Sequence, residues 1–550
     1  MLINTTTGHL CNKSEQAAAF ELLPVFTDLI LSMTTEIDHT RIKQEVADYY
    51  RYATFSHKWE NNEPLFEKVI HIVVYDLEES STHDKLQMFC KIVREAGFQW
   101  AWSDTCCVNK ADHFVLQEAL VAMFKWYEGS SLTVVFLRGV RFPSKRGDLV
   151  RSVWNSWAWT LQEYHASKVV RFYTEDWTPY LNLDIPNHKD APEIISEMEE
   201  ATGISAQALM GLRPGLDDIR EKLSLASRRE TTFVEDEAYS LLGIMSTSLP
   251  VVYGEGDKSL GRLLAQVLTS SGDTSILAWT GRSGSFNSCL PANIAVFSQL
   301  PTTYIPPAIQ HAEMDMITAR LRASSLDFTL ALKLYDQLNE LPIPLFAERR
   351  MKLPCIAFKL GPLSASQGRS EYVFRAQTAA LGVVVVRTTE NLTRFGSLYL
   401  VHPWIDFLLD RQPVGSVIPA IMYEESMGYP SSTDDLPSLP YLPNIPSAIM
   451  RLPVSRSRQS YGQPASPPPY TEVASLRPPS SVSLVGKETR ALRLITRLRQ
   501  PFGALLLTPS GNVAAYSRVA TKSLITVQVE GLTPTILNKI VDSVRVLDVL

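Results

Sequence analysis

The sequence predicts an α/β fold, a parallel sheet with flanking helices, followed by a β-rich C-terminal region. Two observations predict it. Between Tyr52 and Tyr173 short apolar runs alternate with longer amphipathic segments, and the run Leu132–Leu137 is dense in β-branched residues. Strands separated by helices of that length pair in parallel through right-handed crossovers, giving a three-layer sandwich. In order, the predicted elements are a strand at Tyr52–Phe55 and a helix at His83–Glu95 with Leu86, Phe89, Cys90 and Val93 on one stripe, closed by Gly97. A strand at Phe98–Trp102, a helix at Phe114–Tyr127, the strand Leu132–Leu137, a tryptophan-rich helix and a strand at Val169–Tyr173 complete the unit.

The remaining chain divides around this core. At 550 residues it is too long for one core. Residues 1–51 read as a helical lead-in and 52–270 as the α/β domain with a helical extension. Residues 271–425 read as β-rich, with strand-like runs at Ser275–Trp279, Ile356–Leu360, Leu381–Arg387 and Ser397–Val401. Pro467, Pro468 and Pro469 sit in a proline- and serine-rich stretch, 426–489, expected to be a disordered linker. Residues 490–550 form a last small β-rich segment, placed to pack back on the β domain.

Composition excludes several function classes. A net charge of −6 gives no global argument for nucleic acid or an anionic membrane. The six cysteines lack zinc-ribbon spacing and read as reduced thiols, so no metal is expected. No segment approaches the roughly 20 apolar residues of a membrane span, and no secretory signal opens the chain, so a cytoplasmic protein is expected.

Ligands in open α/β sheets bind beyond the carboxyl ends of the strands. Ser56, His57 and Trp59 follow the first strand, Asp104, Cys106 and Cys107 the second, and Glu163 lies on the helix after the third. The stretch Trp154–Tyr164 holds three tryptophans in six residues, and on a helix Trp159 stands one turn before Glu163. Periodicity alone favours core indoles and a solvated carboxylate; the convergence of three polar clusters on one edge favours a site. Other motifs are weaker. Gly254-Glu255-Gly256-Asp257-Lys258-Ser259 lacks the spacer of a phosphate loop, leaving nucleotide hydrolysis through Lys258 a minor reading, and Arg220, Lys222, Arg228 and Arg229 read as a solvated face.

Together these residues resemble a fungal heterokaryon-incompatibility (HET) domain of the basidiomycete type. Four blocks carry the resemblance: Tyr52–Trp59, Trp102–Cys107, Ala158–Glu163, and Glu235–Gly243 followed by Tyr253-Gly254-Glu255-Gly256. His57 and Glu60 replace a tyrosine and a glycine of the commoner form, and Trp157 stands where an arginine is usual. The resemblance implies a trigger of programmed cell death in non-self recognition, with a TIR-like, flavodoxin-like sheet. It also implies NAD as substrate, its nicotinamide–ribose bond cleaved with Glu163 as the catalytic carboxylate and Ser56, His57, Trp59, Asp104, Cys106 and Trp159 around the substrate. No cofactor is implied. The other reading is a non-enzymatic module that self-associates or binds a protein partner.

Overall fold

The computed structural model describes residues 1–32, 37–298, 316, 319 and 328–361, with most of 363–404 and 484–550. Most of the expected linker, 426–483, lies outside the described residues. The chain opens with strands β1 (Leu2–Asn4) and β2 (Leu10–Cys11) and helices α1 (Lys13–Glu21), α2 (Pro24–Ser32) and α3 (His39–Tyr50). The expected alternation follows: β3 (Tyr52–Ser56), α4 (Phe66–Val69), α5 (Ser81–Glu95), β4 (Trp100–Trp102), α6 (His113–Glu128), β5 (Leu132–Leu137), α7 (Trp159–Ala166) and β6 (Val170–Thr174).

These strands form one sheet in the order β2-β1-β4-β3-β5-β6. The four strands β4, β3, β5 and β6 are parallel, and β1 and β2 add an antiparallel edge. The helical reading of the lead-in missed that edge because strands of two and three residues are too short to show a period. All six residues of β5 are buried, as expected of a parallel strand covered on both faces. The flanking helices are stopped and started by local chemistry. Ser80 accepts from the His83 N–H to open α5, Gly97 at φ +84° follows it, and Asp112 accepts from the Phe114 and Val115 N–H groups to open α6. From β3 the chain passes to β4 on one side and then to β5 on the other, so the strand order reverses between β3 and β5. In open α/β sheets ligands bind beside such a reversal, beyond the carboxyl ends of the strands.

Helices α8 (Pro192–Thr202), α9 (Ala206–Gly211), α10 (Ile219–Ala226), α11 (Asp236–Tyr239) and α12 (Lys258–Ser271) make up the extension. The loop before α12 is an anion nest that the chain fills itself: the N–H groups of Gly254 and Gly256 donate to Glu235 at 2.8 and 2.9 Å. Gly243 is a close-approach glycine, because a Cβ there would lie 2.2 Å from the Cβ of Phe124 on α6. Gly243→Ala is therefore expected to cost about 1–3 kcal/mol of stability, read as a lower denaturation midpoint; an unchanged midpoint would show that the extension does not press on α6.

The C-terminal region contains α13 (Phe328–Asn339), β7 (Leu345–Ala347), β8 (Arg350–Lys359), β9 (Leu363–Gln367), β10 (Tyr372–Thr378), β11 (Gly382–Thr388) and β12 (Tyr399–Pro403). After the gap come α14 (Leu484–Leu498), β13 (Phe502–Pro509), β14 (Tyr516–Arg518), β15 (Ile525–Val527), α15 (Pro534–Val541) and β16 (Val544–Val549). Strands β9 to β11 make a separate meander, while β8, β12, β13, β14 and β16 pair around a closed ring. The last 60 or so residues thus complete the sheet begun at Arg350, closure removing exposed edges.

Three readings need correction here. Ser275–Trp279 is no strand: Thr274–Leu277 is a buried 3-10 turn capped by Asp273, and a short apolar run has no period to tell the two apart. The linker does not extend to 489, since α14 begins at Leu484 and buries Ala491, Leu492, Leu494, Ile495 and Leu498. The supposed solvated face is largely inside: Arg220 is 4% and Lys222 1% exposed, and Lys222 donates to the carbonyls of Gly215 and Asp217. Long cationic side chains bury when backbone carbonyls accept their hydrogen bonds, which sequence does not show.

Candidate functional site

Ser56 is the last residue of β3 and wholly buried. Its Oγ donates to Glu163 Oε2 at 2.5 Å and accepts from the indole N–H of Trp154 at 2.8 Å. Glu163 sits in α7, itself 5% exposed. What brings α7 over the strand ends is a pair of backbone hydrogen bonds, Ala158 N–H to Glu230 O at 2.9 Å and Glu230 N–H to Ser156 O at 2.7 Å. The same pair delivers Arg229. Its Nη1 donates to the Trp157 carbonyl and Thr160 Oγ1, both at 2.9 Å, and its Nη2 to Asn155 Oδ1 at 3.3 Å.

The electrostatics follow from that packing. Burial, with the Asp104 charge adding to it, raises the Glu163 pKa to about 8, against the pull of the Ser56 hydrogen bond, the nearby Tyr127 hydroxyl and the Arg229 charge. Glu163 is therefore protonated at neutral pH. Burial lowers Arg229 to about 10, which leaves it charged. Tyr127 donates its O–H to the Phe55 carbonyl at 2.8 Å and is fully buried.

The other expected residues have partners of their own. Asp104 accepts from the Trp59 indole at 2.9 Å, and Lys110 Nζ lies 3.2 Å over the centre of the Trp59 ring, pinning an indole that is 37% exposed. His57 is buried and stacked on Phe55 at 4.3 Å, its Nε2 3.6 Å from Glu63 and 3.4 Å from the Thr105 hydroxyl, while Nδ1 has no hydrogen-bond partner. Burial and then the Lys85 charge lower its pKa, so the ring is neutral. Burial would raise Glu63, but hydrogen bonds from His57 and Lys85 and the Lys85 charge outweigh it and hold it at about 2. Cys106 is buried, its thiol held well above the ordinary range by its hydrogen bond to Cys107 and by burial. Among the described residues no group of three or more His, Cys, Asp or Glu is placed to hold a metal ion.

One expected contact is different. Trp159 is the first residue of α7 and its indole hydrogen-bonds the Asp236 side chain on α11, so the indole that serves the Ser56–Glu163 pair is Trp154, in the turn before the helix. Trp154, Tyr127 and Arg229 were not singled out from the sequence as site residues. The density of tryptophan marked the stretch, but which ring faces the carboxyl depends on where α7 starts. Nothing local marks Arg229.

A parallel α/β sheet whose strand ends and following helix enclose a hydrogen-bonded carboxyl is what residues 52–183 build, and those residues match the family model described as Heterokaryon incompatibility protein (HET). That match, and the relative below, support a fungal HET-type domain over these residues. It is 30% identical over 227 residues to Vegetative incompatibility protein HET-E-1 of Podospora anserina, a match covering 39% of this chain and 16% of that relative, well under two thirds of its length. No solved structure matches the chain.

Proposed function

We propose that this chain is a heterokaryon-incompatibility effector that triggers cell death in the cytoplasm by cleaving the nicotinamide–ribose bond of NAD, with Glu163 as the central carboxyl. The observation that carries it is the Ser56–Glu163 hydrogen bond at the carboxyl end of β3, where the strand order reverses. The order of the four parallel strands, second-first-third-fourth, is also that of flavodoxin-like and TIR-like sheets, which supports the finer fold reading. The relative's name, a vegetative incompatibility protein, supports the biological role.

The chemistry needs little more than a poised carboxyl. In the free site Glu163 holds its proton; a positively charged pyridinium beside it favours the ionised form, and the proton leaves. The carboxylate then faces the positive charge that develops on the ribose as the C–N bond breaks. Nicotinamide departs neutral with the bonding pair, and water adds to the anomeric carbon with loss of a proton. Ser56, fixed by Trp154, holds the carboxylate in place. The test is NAD consumption by the purified full-length chain across pH. Because the ionised form is the competent one, kcat/KM should rise with pH to a plateau with its limb near pH 8. Absence of turnover at every pH would remove the enzymatic reading.

One observation favours the alternative, a non-enzymatic signalling and self-association module: Glu163 is only 5% exposed, as a structural carboxyl would be. Toxicity on expression with cellular NAD undiminished would establish it. Among the described residues no helix is long and apolar enough to cross a membrane.

A further inference from the structure

The loop from β5 to α7 is strongly basic in a chain whose net charge is −6. Between Arg138 and Arg151 it carries Arg138, Arg141, Lys145, Arg146 and Arg151 against one acid, Asp148. A cavity of about 300 Å³ opens there, lined by Arg138, Gly139, Arg141, Asp148, Arg151 and Ser152 among others. We infer that this cavity binds the phosphate groups of a nucleotide, a diphosphate in particular, as the anion-holding half of the site whose carboxyl is Glu163. The identity of the nucleotide and the pairing of the cavity with Glu163 rest on the proposed NAD reaction.

The guanidinium groups are held in place yet available. Arg138 is the fixed one, between Glu60 and Glu175 at 3.2 Å each. Arg141 reaches Glu175 only at 3.8 Å and is 76% exposed; Arg151 pairs with Asp148 at 3.0 Å and is 70% exposed. Exposed pairs of this kind hold weakly, and a multiply charged phosphate offering bidentate acceptors competes well for both forks. The backbone makes room for the arrangement. Gly147 has φ +91° and a Cβ there would stand 2.9 Å from Arg151 Nη1, so glycine is what lets Arg151 fold back across the loop.

The cavity is also joined to the carboxyl through the chain. Ser152, in its wall, accepts from the Asn155 N–H at 3.3 Å, closing the turn that presents Trp154 to Ser56 and Asn155 to Arg229. A diphosphate in the cavity and a ring at Glu163 would press on the two ends of one turn. In the open sheet this places the anion at the carboxyl end of β5, beside the strand-order reversal.

Calorimetric titration of the full chain with inorganic pyrophosphate and with ADP, at low and high salt, tests this. Binding of both is expected, weakened by salt, and the double variant Arg141→Ala/Arg151→Ala, changed only at exposed side chains, should bind at least about tenfold more weakly. Glu163→Gln should bind pyrophosphate as the natural chain does. If pyrophosphate binding is lost in the double variant while no NAD is consumed by the natural chain, the cavity stands and the NAD reaction falls. No binding of either probe, binding indifferent to the double variant, or capture only by vesicles bearing phosphoinositides would overturn the inference.

Discussion

Glu163→Gln is expected to abolish NAD turnover and at the same time make the protein more stable at neutral pH. The loss of turnover, at least about 100-fold, follows from removing the carboxylate proposed to meet the developing ribose cation. The gain in stability follows from linkage. The folded carboxyl titrates near pH 8 and its ordinary value is 4.5, so between these values the folded state keeps a proton that the unfolded chain releases. Stability contributed by that proton is complete below pH 4.5 and is lost as pH rises toward 8, at about 1.4 kcal/mol per unit. At pH 7 the carboxyl therefore costs roughly 3 kcal/mol, which a neutral amide of the same shape does not. Denaturant titrations at pH 5 and pH 8 should show the natural chain weakening far more than the variant. A variant less stable at pH 7, or a natural chain indifferent to pH over this range, would contradict the burial on which the mechanism depends.

Arg229→Ala carries the second large expectation. The substitution strips donors from the Trp157 carbonyl, Thr160 and Asn155 and should cost about 2–4 kcal/mol, seen as a lower denaturation midpoint. It also removes the positive charge that lowers Glu163, so the limb of kcat/KM moves to higher pH. Arg229→Lys separates the two effects, keeping the charge but not the fork: the limb should return toward the natural position while much of the stability loss remains. A limb that does not move in Arg229→Ala would mean that Arg229 is structural only. The position matters because Trp157 stands where related HET domains are expected to carry an arginine. Here Trp157 instead lies beneath Lys58, 4.9 Å from its ring centre, and a cation from beyond α10 donates to the Trp157 carbonyl.

The parallel strands were legible because each is a short apolar run bounded by a cap or a glycine, and β5 in particular reads the same in sequence and in space. Asp104 and Ser56 were legible for a different reason, since both follow strands whose carboxyl ends must share an edge. Arg229 was not. Its neighbours in sequence, Arg220, Lys222 and Arg228, look like the same exposed cluster, yet Arg228 is exposed while Arg220 and Lys222 are buried.

The chain by itself determined that a parallel sheet forms, that polar residues gather at its carboxyl edge, and that a tryptophan-rich turn leads into a helix bearing Glu163. Those follow from side-chain period and from the handedness of crossovers, which act over a few tens of residues. Only the tertiary structure decided which indole supports Ser56, that the carboxyl is shut away and protonated, and that an arginine about 70 positions on lies beside it. Burial and long-range hydrogen bonds set those facts, and they are properties of distances that local sequence does not encode.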